Sequence, residues 1–238
     1  MVDFSEQVVV VTGAAGNLGE AVARAFYAAG ASLALVARHR EKAEAVLGTD
    51  LPEGERVQYV TADLTDEQAV ADCVAEIVAR YGRIDILINV AGGFKMGTPV
   101  HETPLQTWEF MLNLNARTVF LMSRAVIPHL LAQEKGKIVS VAARAGLEGA
   151  ANMAPYVVSK SAVIRLTESM AAELKDHNIN VNCILPGTID TPQNREAMPK
   201  ANFDKWVAPA ALADVILFLA SDAARAVQGA AVPVYGRS

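Results

Sequence analysis

Gln7-Val8-Val9-Val10-Val11-Thr12-Gly13-Ala14-Ala15-Gly16-Asn17-Leu18-Gly19 is the stretch on which the fold turns. Gln7 to Val11 is a short, continuous run rich in β-branched residues, the pattern of a strand buried on both faces. Glu20 to Ala29 then reads as a helix with Val22 and Phe26 on one side. A glycine-rich turn caught between strand and helix is where a pyrophosphate sits, because the backbone comes close and the helix N-terminus offers free N–H groups to an anion. The plainer alternative is a tight turn that needs glycine only for its backbone angles. Agreement of strand, spacing and helix favours the phosphate, with Gly13, Gly16, Asn17, Leu18 and Gly19 as cofactor-binding candidates.

Outward from that turn the pattern repeats. Further strands are expected at Ser32 to Ala37, Val57 to Thr61, Ile84 to Ile88, Lys137 to Val141, Ile179 to Leu185 and Ala230 to Val234, with helical periodicity between most of them. Thr65-Asp66-Glu67-Gln68 has capping-box spacing for a helix reaching Tyr81. Thr103-Pro104-Leu105-Gln106 reads as the cap and first turn of one long helix running to about Gln133. That helix carries Asn113 and Asn115 in its interior, where asparagine is a poor helix former, so an amide is expected to be in use there. Asn194 to Val207 is polar and interrupted, like a lid, and the segment 190–209 is assigned that role. The alternation implies a single α/β domain over residues 1–238, a Rossmann-type doubly wound parallel sheet of about seven strands with helices on both faces. Ligands of such sheets bind beyond the carboxyl ends of the strands.

The strand ends carry the candidate ligands. After the second strand comes Ala37-Arg38-His39-Arg40, with no acid at 37 or 38 to meet a ribose 2′-hydroxyl; Arg38 suits a 2′-phosphate, which favours NADP(H) over NAD(H). The alternative is that Arg38 and Arg40 are solvated residues opening the next helix. Asp63-Leu64 closes the third strand, and Asp63 either caps or meets an adenine amino group. Asn89-Val90-Ala91-Gly92-Gly93 closes the fourth, and its small residues let a flat ring pass near the backbone.

Tyr156-Val157-Val158-Ser159-Lys160 lies near the start of an apolar-periodic run reaching about Asp176. On a helix the i,i+4 spacing puts phenol and ammonium on one face. An ammonium that close is expected to favour the phenolate, drawing a pKa near 10 down toward the range useful for proton transfer. Tyrosine and lysine four apart also occur on ordinary amphipathic surfaces, so the pair takes its meaning from the rest of the chain.

Composition narrows the classes. A formal net charge of -5 over 238 residues argues against a nucleic-acid footprint. No uninterrupted apolar run is long enough for a membrane span, and the start of the sequence lacks a basic region ahead of an apolar stretch. Cys73 and Cys183 lie in apolar runs, as buried thiols of a reducing compartment would, and a cytoplasmic protein is expected. No metal site is expected.

Taken in order, Thr12-Gly13 to Gly19, Asp63, Asn89 to Gly92, Asn115, Tyr156 to Lys160 and Pro186-Gly187 to Thr191 make the chain resemble a short-chain dehydrogenase/reductase over nearly its whole length. The resemblance implies that Tyr156 donates a proton to a carbonyl or imine, that Lys160 holds the nicotinamide ribose and lowers the Tyr156 pKa, and that Asn115 anchors a relay water. It places Asn89, Ala91 and Gly92 on the adenosine side and Pro186, Gly187, Thr188, Ile189 and Thr191 toward the nicotinamide. It gives Asn113 no role, and it implies a homodimer or homotetramer built on the Thr103 and Pro155 helices.

Two departures stand out. The family's middle glycine falls at Asn17, a residue that tolerates the left-handed conformation, with a glycine one position earlier at Gly16. The serine that polarises the substrate carbonyl falls at Ala143. Losing a donor aimed at developing charge typically costs about 10²–10³ in rate. Ser140 is a poor substitute, since an odd offset along a strand points it to the other face.

Dihydropteridine reductases, a branch of that family, also carry alanine there. The chain resembles them at Gly13 to Gly19, at Val90-Ala91-Gly92-Gly93-Phe94 and from Asp190-Thr191-Pro192-Gln193-Asn194-Arg195 through Met198 to Trp206. That resemblance implies hydride delivery to a conjugated quinonoid ring, with Gly93, Phe94, Ala143 and Tyr156 facing the substrate. Ala37-Arg38 departs from it, because that branch has an acid at this point. Two alternatives stand beside the reductase: an NADP(H)-binding sensor that has lost catalysis, and an ordinary 3-oxoacyl or carbonyl reductase with its serine replaced.

Overall fold

The computed structural model describes residues 2–237. Seven strands form one parallel sheet: β1 (Val8–Thr12), β2 (Ser32–Ala37), β3 (Val57–Thr61), β4 (Ile86–Asn89), β5 (Gly136–Val141), β6 (Ile179–Pro186) and β7 (Ala231–Val234). Their spatial order is β3-β2-β1-β4-β5-β6-β7, so the winding reverses between β1 and β4. A crevice opens at such a reversal, at the carboxyl edge of the sheet. Within the sheet the valines of β1 pair with β2 on one side and β4 on the other, Val9 lying level with Leu33 and Ile86. Fully buried, two-sided strands explain why β1 reads as an unbroken apolar run.

Helices cover both faces. On one lie α1 (Asn17–Ala28), α2 (Arg40–Leu47) and α8 (Pro209–Ala220), whose Val22, Phe26, Leu47 and Ile216 meet Val9, Leu33 and Ile86 of the sheet. On the other lie α3 (Glu67–Tyr81), α5 (Thr118–Ala132) and α6 (Ala154–Leu174), whose Ile77, Val126 and Met170 meet Val10, Leu87 and Val181. The short helices α4 (Leu105–Leu112) and α7 (Pro192–Ala197) stand at the carboxyl edge, α4 leading into the long helical arm and α7 following β6.

Several local expectations need correction. The arm from Thr103 to Gln133 is not one α-helix: between α4 and α5 the backbone opens into a wide π-type turn at Asn113–Arg117. Thr103 does not cap it, because the extended Pro104 takes the cap position ahead of Leu105; the Thr103 hydroxyl instead donates to Pro99 O at 2.9 Å. Asp66, not Thr65, caps α3 by accepting from Ala69 N at 2.7 Å; the Thr65 hydroxyl is already committed to Asp63 Oδ1 at 2.7 Å. The first helix begins at Asn17 rather than Glu20, because the glycine turn supplies its opening residues.

Candidate active site

Three glycines shape the crevice. Gly13 has φ +66°, and a Cβ there would stand 2.9 Å from both N and Cα of Ala91, so the loops after β1 and β4 touch only because that atom is missing. A Cβ on Gly19 would lie 2.2 Å from Gly13 O, which locks the turn against the start of α1. Thr12 ties the same two loops together: its hydroxyl accepts from Val90 N at 3.0 Å and Ala91 N at 3.1 Å. Gly16 precedes α1 in extended geometry, and no side chain caps the helix, so the N–H groups of its first turn face the crevice without a protein side-chain acceptor. These features fit a dinucleotide pyrophosphate. Asn17 is not left-handed, contrary to the role expected for it; it is helical, and its Nδ2 donates to Gln193 Oε1 of α7 at 2.9 Å.

Around the rim, Arg38 and Asp63 share one corner. Asp63 Oδ1 accepts from Thr65 N at 2.9 Å, and these bonds, with the field of Arg38, hold its carboxyl below the usual range. Arg38 is exposed and makes no ion pair among the described residues, whereas Arg40 is consumed by Glu44 and Glu53 and lies over the Tyr59 ring. Of the two arginines after β2, Arg38 is the one without a carboxylate partner among the described residues. Leu64 is buried beneath this corner.

At the end of β4, buried Asn89 donates to Ser123 Oγ at 3.3 Å and to Ser140 Oγ at 3.2 Å. Ser140 is thereby held in the sheet interior and does not replace the hydroxyl missing at Ala143, which is itself buried. The next residues bring the arm, the strand end and α6 together. Asn115, in the wide turn and fully buried, accepts from Gly93 N at 2.9 Å and donates to Gly93 O at 3.0 Å and Ser159 Oγ at 3.1 Å. Ser159 in turn donates to Tyr156 O at 2.7 Å. Asn113, by contrast, is exposed. A Cβ on Gly92 would lie 2.7 Å from Asn115 Oδ1 and 3.2 Å from Lys160 Nζ, so amide and ammonium flank one point that glycine leaves open. Lys160 is buried and donates to Val141 O at 2.9 Å. Phe94 sets its ring edge-on to Tyr156, with centroids 4.8 Å apart.

The electrostatics reverse one expectation. In the protein alone, burial pushes the Tyr156 phenol up to about 12, and no lowering by Lys160 offsets it. Lys160 is itself pushed down to about 8 by burial. Desolvation wins because each group loses water before any counter-charge arrives. At neutral pH the phenol therefore keeps its proton.

The loop after β6 leaves the same edge of the sheet. Gly187 N donates to Val234 O at 3.1 Å, Val207 N donates to Thr188 O at 2.9 Å and Ile189 pairs with Val207, so the two ends of the segment 190–207 are fastened together. Thr191 caps α7, accepting from Asn194 N at 3.2 Å. Inside the segment, Arg195 forks onto Asp190 at 2.6 and 2.8 Å and lies over Phe203, which packs on Trp206. Pro186 ends the strand beneath. Thr12, Ser159 and Gln193 are contacts that sequence reading left out of the site; a threonine closing an all-valine strand and a serine inside the Tyr156–Lys160 turn were the available signals.

Residues 7–202 match the short chain dehydrogenase family. A 3-oxoacyl-acyl-carrier-protein reductase of Thermotoga maritima is 31% identical over 97% of this chain and 96% of its own length. Among solved structures, an NAD+-bound xylitol dehydrogenase superposes with a TM-score of 0.89 at 30% identity, over 98% of this chain and 99% of that one. A gluconate 5-dehydrogenase of Burkholderia cenocepacia, solved with NADP and tartrate, superposes at 0.90 with 28% identity over 98% and 95%. Sequence, sheet order and site geometry agree that the chain belongs to the short-chain dehydrogenase family of NAD(P)-dependent oxidoreductases.

Proposed function

We propose that the protein is an NADP(H)-dependent reductase of a small carbonyl or conjugated substrate, with Tyr156 as proton donor. The observation that carries this reading is the open point at Gly92, flanked by Asn115 Oδ1 and Lys160 Nζ on the helix that bears Tyr156. When bound, the nicotinamide supplies the hydride. Gly13, Gly16, Leu18 and Gly19 receive the pyrophosphate, with Asn17 beside them; Arg38 receives the 2′-phosphate, and Asp63, Leu64, Asn89, Ala91 and Gly92 border the adenosine. Gly187 to Thr191 face the nicotinamide. Lys160 holds the ribose, and Asn115 supports a relay through which Tyr156 is reprotonated after it gives its proton to the reduced substrate. Gly93, Phe94 and Ala143 border the substrate, and residues 190–209 act as its lid.

The alanine at 143 favours a substrate that builds no localised oxyanion, as in a quinonoid dihydropterin, and the organised Asp190–Arg195–Phe203–Trp206 stack suits a flat ring. The same alanine supports a second reading, a cofactor-binding sensor without turnover. Incubation with NADPH and a panel of dihydropterins, quinones and ketones separates them. Under the first reading, turnover with at least one class falls by about 10²–10⁴ in Tyr156→Phe while NADPH binding persists. Full turnover in that variant would remove the phenol from the mechanism. We also propose that exposed Phe110, Phe120 and Val158 on the helical arm and α6 are covered by a second copy of the chain, which light scattering would show as a dimer or tetramer.

A further inference from the structure

Ser159 lies between Tyr156 and Lys160 on α6 and is fully buried. A buried hydroxyl on a helix commonly satisfies itself by donating to a carbonyl three or four residues back. Thr118 and Thr167 do so, donating to Leu114 O and Val163 O at 2.9 Å. Ser159 follows the habit with Tyr156 O at 2.7 Å, but that bond uses only its hydrogen. Its oxygen also accepts from Asn115 Nδ2 at 3.1 Å, a partner 44 positions away on the wide turn between α4 and α5. One hydroxyl thus joins the helical arm to the turn that carries phenol and ammonium.

What this does to Asn115 follows from its bonding capacity. A carboxamide has two N–H donors and an oxygen with two lone pairs. Gly93 N meets one lone pair at 2.9 Å, Gly93 O accepts one N–H at 3.0 Å and Ser159 accepts the other. That leaves the second lone pair of Oδ1, the atom that flanks the point at Gly92 together with Lys160 Nζ. The two bonds to Gly93 fix which way round the amide lies, but they anchor it to the loop after β4. The bond to Ser159 ties it to α6, and so to Lys160 on the next residue. A wide turn gives up regular helical bonding, so its side chains depend on such outside partners.

We propose that Ser159 is a positioning residue: it holds the Asn115 oxygen in register with the Lys160 ammonium, and so maintains the relay that returns a proton to Tyr156. This rests on the reading of Tyr156 as the proton donor. Alanine at this position leaves a buried N–H of Asn115 without its acceptor and releases the amide from α6. Threonine keeps the hydroxyl.

The test compares the wild type, Ser159→Ala and Ser159→Thr on the fastest substrate of the panel above, with NADPH. In parallel, NMR of protein carrying isotope-labelled asparagine follows exchange of the Asn115 side-chain amide protons with solvent. In Ser159→Ala kcat is expected to fall by about 10- to 100-fold, with KM and NADPH affinity held within about twofold. The solvent deuterium isotope effect on kcat rises as reprotonation of Tyr156 becomes the slow step, and the Asn115 amide protons exchange faster than in the wild type. Ser159→Thr restores most of the rate and the protection. An unchanged kcat or an unchanged amide protection in Ser159→Ala overturns the assignment. So does a joint loss of turnover and NADPH affinity that threonine fails to restore, the mark of a residue that merely packs. In each of these cases a Tyr156→Phe variant that stays inactive leaves the reductase reading standing. Should no compound turn over, the reductase reading itself fails and the relay role of Ser159 falls with it.

Discussion

Burial moves Tyr156 and Lys160 in opposite directions, up to about 12 and down to about 8, and the lysine shift has a consequence for stability. A lysine whose folded pKa lies below the 10.5 of an unperturbed side chain carries its burial penalty in full at low pH. Between about 8 and 10.5 the unfolded chain binds more protons than the folded one, so stability from this group rises with pH. Above about 9 the buried thiols Cys73 and Cys183, raised to about 12 and about 11, push the other way. Comparison with Lys160→Met cancels the Cys73 term and most of the Cys183 one, since the lysine's field is the smallest of the influences on that thiol. In urea denaturation of the cofactor-free protein, the wild type is expected to gain on the variant steadily from pH 8 to pH 10. A pH-independent difference would show that Lys160 is not desolvated as placed. Tyr156 illustrates what spacing can and cannot say: i,i+4 placement of Lys160 was legible, but the sign of the phenol's shift depends on how much water each group loses, which one helix face does not reveal.

The element that sequence periodicity described least well is also the one that makes the site. A long apolar period from Thr103 to Gln133 reads as one helix because a single wide turn barely disturbs the average repeat, yet that turn swings Asn115 onto Gly93 and Ser159. The unfavourable asparagines were the sign of it. The seven strands, by contrast, were legible to within about two residues, since burial on both faces leaves a continuous apolar signature in all but the half-exposed edge strand β7. Thr65 and Thr103 do not cap because each stands one residue ahead of the observed cap position, Asp66 and Pro104, an offset that a four-residue pattern does not resolve. The wide turn also supplies a prediction. Gly92→Ala puts a methyl 2.7 Å from Asn115 Oδ1, whose position is held from both sides of its amide. Crowding of this kind costs about 1–3 kcal/mol, and a misplacement near 1 Å costs about 10² in rate. The variant is expected to lose stability in urea and to lose turnover well beyond that, and an unchanged kcat would detach Asn115 from the reaction.

At the scale of the whole molecule, the reversal between β1 and β4 gathers loops from six strand ends onto one edge, so a dinucleotide lying there braces much of the fold at once. Ligand that binds only the folded state stabilises it by mass action, about 2.7 kcal/mol at a hundredfold excess over Kd, and a chain of this size shifts its Tm by roughly 2–4 °C per kcal/mol. The proposed preference for NADP(H) is a prediction about one corner. Among the described residues Arg38 has no ion-pair partner and its field reaches Asp63, while Arg40 is held by Glu44 and Glu53. NADPH at saturating concentration is therefore expected to raise the Tm by about 5–10 °C, with NADH at the same concentration well behind. Arg38→Ala removes the gap between the two and Arg40→Ala leaves it, because an added 2′-phosphate can recruit only the guanidinium that the fold has not already spent on its own carboxylates. Equal shifts for both dinucleotides in the wild type, or a gap that survives in Arg38→Ala, would place the selectivity elsewhere on the rim.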